Sequence, residues 1–289
     1  MKIKLLLSRA FRYIVKGVPV IKITANIMEM SSTQMLVNRT ALVTGGTTGI
    51  GYEIAKSMLK AGANVVITGR DLGRINKACN SLKESTNCDR VAGLTLNNLD
   101  VNSFPNKIEE ARSFFGRIDI LVNNAGVLTY DTISTENEGQ YDKVLDTNLK
   151  GPFFLSQQVG KYMIENNIKG NILNVGSSSC LRPALSAYTL SKWGIRGLTL
   201  GLAKGLAPYG ITVNGIAPGQ TLTVMVPNHE KIDNLYRDNI PLGRYILPVE
   251  IANMAVILVS DLGRAVMGDI VYMTGGAGNL TYEDITNKF

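Results

Sequence analysis

The 289-residue sequence predicts one α/β domain, a doubly wound parallel sheet with helices on both faces. Two observations carry this expectation. From Asn38 onward, short uninterrupted apolar runs alternate with helix-length segments, the pattern of strands buried on both faces and joined by crossover helices. Such crossovers are right-handed, and helices then wind onto both sides of the sheet. No repeat, linker or compositional break divides residues 38–289, whereas residues 1–37 read as a basic, amphipathic extension.

The elements follow in order. The run at 40–44 (TALVT) enters a glycine cluster and then Ile50, Ile54, Met58 and Leu59 at helical spacing. A second run at 64–68 (NVVIT) precedes a polar helical stretch from Leu72 to about Ser85. Further runs at 91–96, 118–122, 172–175, 212–216 and 270–273 are each separated by a helix-length segment. Residues 222–245 are irregular and polar, with Val224, Met225, Leu235 and Tyr236 as apolar points.

Composition excludes several classes. The one histidine, His229, and three scattered cysteines, Cys79, Cys88 and Cys180, offer no structural zinc site and no local nucleophile–histidine motif. The cysteine pattern gives no disulfide framework and fits a reducing, cytoplasmic setting. Most of the net charge of +7 resides at the start of the chain: residues 1–22 hold six basic residues and no acid, which leaves 24 basic against 23 acidic residues, or +1, elsewhere. A nucleic-acid footprint across the fold is therefore not expected. No apolar stretch is long enough to span a bilayer. Leu5, Phe11, Ile14 and Val15 among basic residues suit either peripheral contact of residues 1–22 with an anionic membrane or an extra helix packed on protein.

The first apolar run leads directly into Thr44-Gly45-Gly46-Thr47-Thr48-Gly49-Ile50-Gly51. A strand–turn–helix that receives a pyrophosphate needs glycine at the sharp turn, at the close approach to phosphate and at the helix–strand contact. Gly45, Gly49 and Gly51 suit those three tasks, and the context marks a Rossmann-type dinucleotide site.

This spacing resembles that of the short-chain dehydrogenase/reductase family, and the family's other motifs occur in order between about residues 39 and 278. They are Asn123-Asn124-Ala125-Gly126, Asn148 in TNLKG, Ser177 at the end of the fifth strand, Tyr188 and Lys192 as Y-x-x-x-K, Pro218-Gly219, and Thr223. Among family members the general pattern is similar to 3-oxoacyl-carrier-protein reductases and related ketoreductases. The resemblance implies a homodimer or homotetramer acting on a small-molecule carbonyl or alcohol. It also implies a mobile substrate loop over residues 222–245.

Tyr188 and Lys192, four apart on a helix, share one face. A phenol is mostly protonated at neutral pH, and an ammonium beside it stabilises the phenolate, which suits Tyr188 to general acid/base work in either direction. The resemblance gives Lys192 a second role in holding the nicotinamide ribose. A hydroxyl must orient the carbonyl; Ser177 matches the family position, with Ser178 as the alternative because the serine-to-tyrosine gap is short. Asn148 reads either as the family's water-positioning asparagine or as a buried, hydrogen-bonded amide.

Cofactor choice is read at the end of the second strand, in Thr68-Gly69-Arg70-Asp71. Gly69 stands where an NAD-selective acid is expected, and Arg70 is suited to a 2′-phosphate, so NADP is expected over NAD. Asp71 reads either as a partner of Arg70 or of a ribose hydroxyl, which would temper that preference, or as the cap of the next helix, the favoured reading. The resemblance further assigns Thr47, Thr48, Ile50, Asn124, Ala125 and Gly126 to the cofactor, Asp100-Val101 to adenine, and Pro218, Gly219 and Thr223 to the nicotinamide end. Cys180 and Leu181 are expected to line the same pocket, with Cys180 as a buried structural thiol rather than a nucleophile, since no motif accompanies it. The resulting expectation is an NADP-dependent oxidoreductase; the alternative is a non-catalytic cofactor-binding or structural protein on the same fold.

Overall fold

Each apolar run forms a strand: β1 (Thr40–Val43), β2 (Asn64–Gly69), β3 (Val91–Thr95), β4 (Ile120–Asn123), β5 (Asn171–Val175), β6 (Thr212–Pro218) and β7 (Ile270–Met273). The structure, a computed structural model, describes residues 22–25, 34–223, 234–278 and 280. The strands pair in parallel in the order β3-β2-β1-β4-β5-β6-β7. The helices are α1 (Gly49–Lys60), α2 (Leu72–Thr86), α3 (Phe104–Phe115), α4 (Glu138–Leu145), α5 (Gly151–Glu165), α6 (Ala187–Leu206) and α7 (Pro248–Val259).

Both faces of the sheet are covered, which is why the strands read as continuous apolar runs rather than alternating ones. Ala41, Val43, Val65, Ile67, Ile120, Val122, Leu173 and Val175 pack in one core with α1, α2 and α7. Their strand neighbours Leu42, Val66, Leu121 and Ile172 point the other way, into a core with α3 and α5. Polar ties cross the second layer: Asn123 Nδ2 donates to Ser156 Oγ and to Asn174 Oδ1, each at 2.8 Å, and Asn174 Nδ2 donates to Thr199 Oγ1 on α6 at 2.9 Å.

The chain leaves β1 toward β2 and β3, and leaves β4 toward β5, β6 and β7. A crevice therefore opens at the C-terminal ends of β1 and β4, where such folds bind ligands.

Within residues 1–37, Leu36 is fully buried in the first core and its N–H donates to Ala61 O at 2.9 Å. Packing of the domain thus reaches into the segment that the sequence assigns to the extension. Residues 1–21 lie outside the described residues, as do Val224, Met225 and His229. Among the described residues, no helix is long and apolar enough to cross a membrane.

Candidate active site

A cleft of about 1090 Å³ occupies the crevice. Toward β2 it is lined by Thr47, Thr48, Gly49, Ile50, Gly69 and Arg70; toward β5 and α6 it is lined by Ser177, Tyr188 and Lys192. Gly45, Asn124, Ala125, Gly126, Pro218, Gly219 and Thr223 also stand on its wall.

The glycine-rich turn is built by exclusion of side chains. Gly45 has φ +63°, and a Cβ there would stand 2.9 Å from Ala125 Cα. Gly51 lies behind the lining, where a Cβ would collide with the Gly45 carbonyl and the Asn124 side chain. Asn124 Nδ2 donates to Thr44 O at 2.9 Å and Gly45 O at 3.1 Å, and Thr44 Oγ1 accepts the Asn124 and Ala125 N–H groups, each at 3.0 Å. The Asn-Asn-Ala-Gly segment therefore locks the turn in shape. The N-cap of α1, Thr48, makes no side-chain capping bond, and the first turn carries no acid. An uncapped helix start opening on a cleft has the partial positive charge and free amides that a pyrophosphate requires. These residues fit a dinucleotide.

Tyr188 sits in the first turn of α6, which Ser186 caps by accepting the Thr189 N–H at 3.2 Å. Lys192, one turn further, is buried; its Nζ donates to Val175 O at 3.0 Å and lies 5.6 Å from the Tyr188 ring centroid. Ser177 caps a short 3₁₀ turn (Ser178–Leu181), and its Oγ accepts the Ser179 N–H at 3.1 Å. That turn is fastened to α6 by Cys180 Sγ donating to Lys192 O at 3.0 Å and Trp193 Nε1 donating to Arg182 O at 2.7 Å. The short serine-to-tyrosine gap is thus taken up by a tight turn. Ser177 faces the cleft, whereas Ser178 is buried and absent from its wall.

Asn148 lies in a π-helical turn (Asp146–Lys150) between α4 and α5, a distortion that often marks functional sites. Its side chain is bonded behind the cleft: Oδ1 accepts the Val127 N–H at 2.8 Å, and Nδ2 donates to Val127 O at 2.9 Å and Ser191 Oγ at 3.2 Å. It holds the segment after Gly126 against α6 as a hydrogen-bonded amide.

At the end of β2, Arg70 and Arg74 both line the cleft and are exposed. Asp71 Oδ1 accepts the Arg74 N–H at 2.7 Å and caps α2. Two expectations are corrected. Asp100 and Val101 are not on the cleft; β3 ends at Thr95, and the wall beyond it is Leu96, Asn97 and Asn98, while Asp100 begins a 3₁₀ turn one step further out. Cys180 and Leu181 are likewise absent from the cleft wall; Cys180 is fully buried against α6, as expected of a structural thiol, and burial pushes its thiol above the ordinary pKa.

Sequence reasoning missed Arg74, Asn97, Asn98, Arg237 and Tyr245, all on the wall. Arg74 was readable as the first-turn residue three beyond the Asp71 cap, and Asn97 and Asn98 as the first polar pair past a strand. Arg237 and Tyr245 come from the irregular segment and carried no local signal.

A family model described as short chain dehydrogenase matches residues 39–233. The chain belongs to the short-chain dehydrogenases. As a member of that family it is an oxidoreductase acting on CH–OH or carbonyl groups. This short-chain dehydrogenase is 35% identical over 246 residues to a 3alpha-hydroxysteroid dehydrogenase of Mediterraneibacter gnavus, covering 84% of this chain and 98% of that one. It is 34% identical over 244 residues to a 3-oxoacyl-(acyl-carrier-protein) reductase of Aquifex aeolicus, covering 83% and 98%. Among solved structures, a variant of actinorhodin polyketide ketoreductase with NADPH superposes with a TM-score of 0.77 at 30% identity, covering 86% of this chain and 99% of that one.

Proposed function

We propose that this dehydrogenase is NADP-dependent and interconverts a ketone and a secondary alcohol, with Tyr188 as general acid and base. The observation that carries the reading is the convergence of Ser177, Tyr188 and Lys192 on one wall of the cleft that begins at the uncapped start of α1. The bound nicotinamide supplies or accepts the hydride. The Tyr188 hydroxyl gives its proton to the substrate oxygen in reduction and receives it back in oxidation. The Ser177 hydroxyl donates to the same oxygen and fixes its position. Lys192, held by the Val175 carbonyl, places a positive charge beside Tyr188 and a donor toward the nicotinamide ribose. Asn148 is a positioning residue that joins the Val127 segment to α6.

Arg70 and Arg74 at the end of β2 support NADP, since Asp71 is engaged as a helix cap. The relatives' names describe work on 3-oxoacyl chains and a steroid 3-hydroxyl, and both are ketone/secondary-alcohol pairs of the class proposed here. A homodimer or homotetramer is supported by the outer face of α6, where Leu190, Trp193 and Leu200 are exposed and Gly197, Gly201 and Gly205 have open space beside them. The free cysteines agree with a cytoplasmic setting.

The test is nicotinamide absorbance with purified protein, NADPH and a ketone panel containing a 3-oxoacyl thioester and a 3-ketosteroid, with Ser177→Ala and Ser178→Ala alongside. Loss of turnover in Ser177→Ala, with Ser178→Ala largely active, is expected. The reverse pattern would move the oxyanion role to Ser178. No turnover of any ketone by the parent protein would overturn the reading.

A further inference from the structure

Among the described residues that line the cleft, four are cationic and only Asp71 is acidic. Arg70, Arg74 and Lys192 have assigned tasks; Arg237 has none. It lies in the segment after β6, which is tied down on several sides. Arg237 N–H donates to Gly243 O at 2.9 Å, Tyr245 N–H donates to Leu235 O at 2.9 Å, and Tyr236 bridges Arg244. From outside, Ile23 braces the same segment, its N–H donating to Asn234 Oδ1 at 3.1 Å and its carbonyl accepting the Leu235 N–H at 3.3 Å.

The two arginines of this segment differ in their partners. Arg244 is matched by Glu250 through two 2.8 Å bonds. The Arg237 guanidinium instead lies 4.2 Å over the ring of buried Tyr245, its Nε is buried without a hydrogen-bond partner, and no carboxylate pairs with it among the described residues. A buried cationic donor left without an acceptor is costly unless a ligand supplies one. The place of this wall indicates which ligand group that is. Thr221 pairs with Ile246, next to Tyr245, and a Cβ on Gly49 would stand 3.6 Å from Thr223 Cβ. The wall that carries Arg237 therefore adjoins the glycine-rich turn and the open start of α1.

We propose that Arg237 is an anion-binding residue that takes a phosphate oxygen of the molecule in the cleft. The placement favours the pyrophosphate of the dinucleotide, held between the α1 amides and Arg237; a phosphate carried by the substrate is the other source of the same chemistry. The inference rests on the dinucleotide reading above.

The test is calorimetric titration of the full chain with NADPH, NADH and adenosine 2′-monophosphate, which has no pyrophosphate. Arg237→Met keeps the stem over Tyr245 and removes the charge; Arg237→Lys keeps the charge. Thermal unfolding confirms that each variant is folded. The expected result is a Kd raised about tenfold or more, by the same factor for NADPH and NADH, in Arg237→Met. Binding of adenosine 2′-monophosphate stays unchanged, and Arg237→Lys recovers part of the loss. If the dinucleotide Kd values do not move, inorganic phosphate is titrated into the NADPH complex; binding by the parent and not by Arg237→Met assigns the residue to a substrate phosphate. No effect in either arm, or an equal loss for adenosine 2′-monophosphate, overturns the proposal. A parent protein that binds neither dinucleotide would instead overturn the cofactor reading on which it rests.

Discussion

Replacing Arg70 by alanine should weaken NADPH binding and leave NADH binding nearly unchanged. Gly69 has no side chain to offer a ribose hydroxyl, and Asp71 uses Oδ1 to cap α2 at 2.7 Å from the Arg74 N–H. The charged groups left to meet a 2′-phosphate are therefore Arg70 and Arg74, which both line the cleft there. A charge-assisted hydrogen bond contributes about 1.5–3 kcal/mol, and the exposed position of both side chains favours the lower figure. That corresponds to about tenfold in Kd for Arg70→Ala and a similar loss for Arg74→Ala. The two side chains would share one phosphate, so their effects are not expected to add fully, and the double variant should fall between about 10- and 100-fold. Calorimetric titration with both dinucleotides measures this directly, and the NADPH effect should shrink at high salt. An equal loss of NADH and NADPH in Arg70→Ala would refute the assignment, because NADH lacks the phosphate the argument invokes.

Three further outcomes follow from the packing around the site. Burial acts to raise the Glu250 pKa, but hydrogen bonds from Arg244 and the Leu247 N–H, with the Arg244 charge, outweigh it and hold the carboxyl below its ordinary value. Its stabilising contribution is therefore complete above the ordinary glutamate range and is lost as pH falls through that range to the lowered folded value. Glu250→Gln should cost about 1–2 kcal/mol at pH 7 and progressively less on acidification, read by thermal unfolding. Asn174→Ala removes a buried amide that accepts from Asn123 and donates to Thr199, and should cost about 2–4 kcal/mol in denaturant unfolding; a loss under 1 kcal/mol would mean that the tie between β5 and α6 is not formed. Gly51→Ala has no room for its methyl group against the Gly45 carbonyl, so dinucleotide affinity should fall at least tenfold in protein that remains folded by circular dichroism.

The sheet was legible because burial on both faces writes itself into sequence as unbroken apolar runs, and all seven runs became strands. The glycine-rich turn was legible because sterics demand the residue type at Gly45 and Gly51. Sites assembled from side chains at the mouth of the cleft were harder to read. Which residues past β3 reach the wall depends on where the strand stops, and Asp100, only three residues beyond Asn97, is no longer part of it. Arg237 reaches the cleft through a bridge between Tyr236 and Arg244 in a segment with no hydrophobic period, so nothing local announces it. The hydrogen-bond partners of Asn148 were likewise hidden, because Ser191 is 43 residues away in sequence.

The central claim is that Tyr188 moves the proton at a site that binds a nicotinamide dinucleotide. Its most direct test compares the parent protein with Tyr188→Phe, measuring NADPH affinity by calorimetry and hydride transfer to the ketone panel by absorbance. The expected result is a Kd unchanged within about twofold and a turnover lower by about 10²–10⁴. Turnover that survives the substitution would contradict the role of Tyr188, and a parent protein that binds no dinucleotide would contradict the cofactor assignment itself.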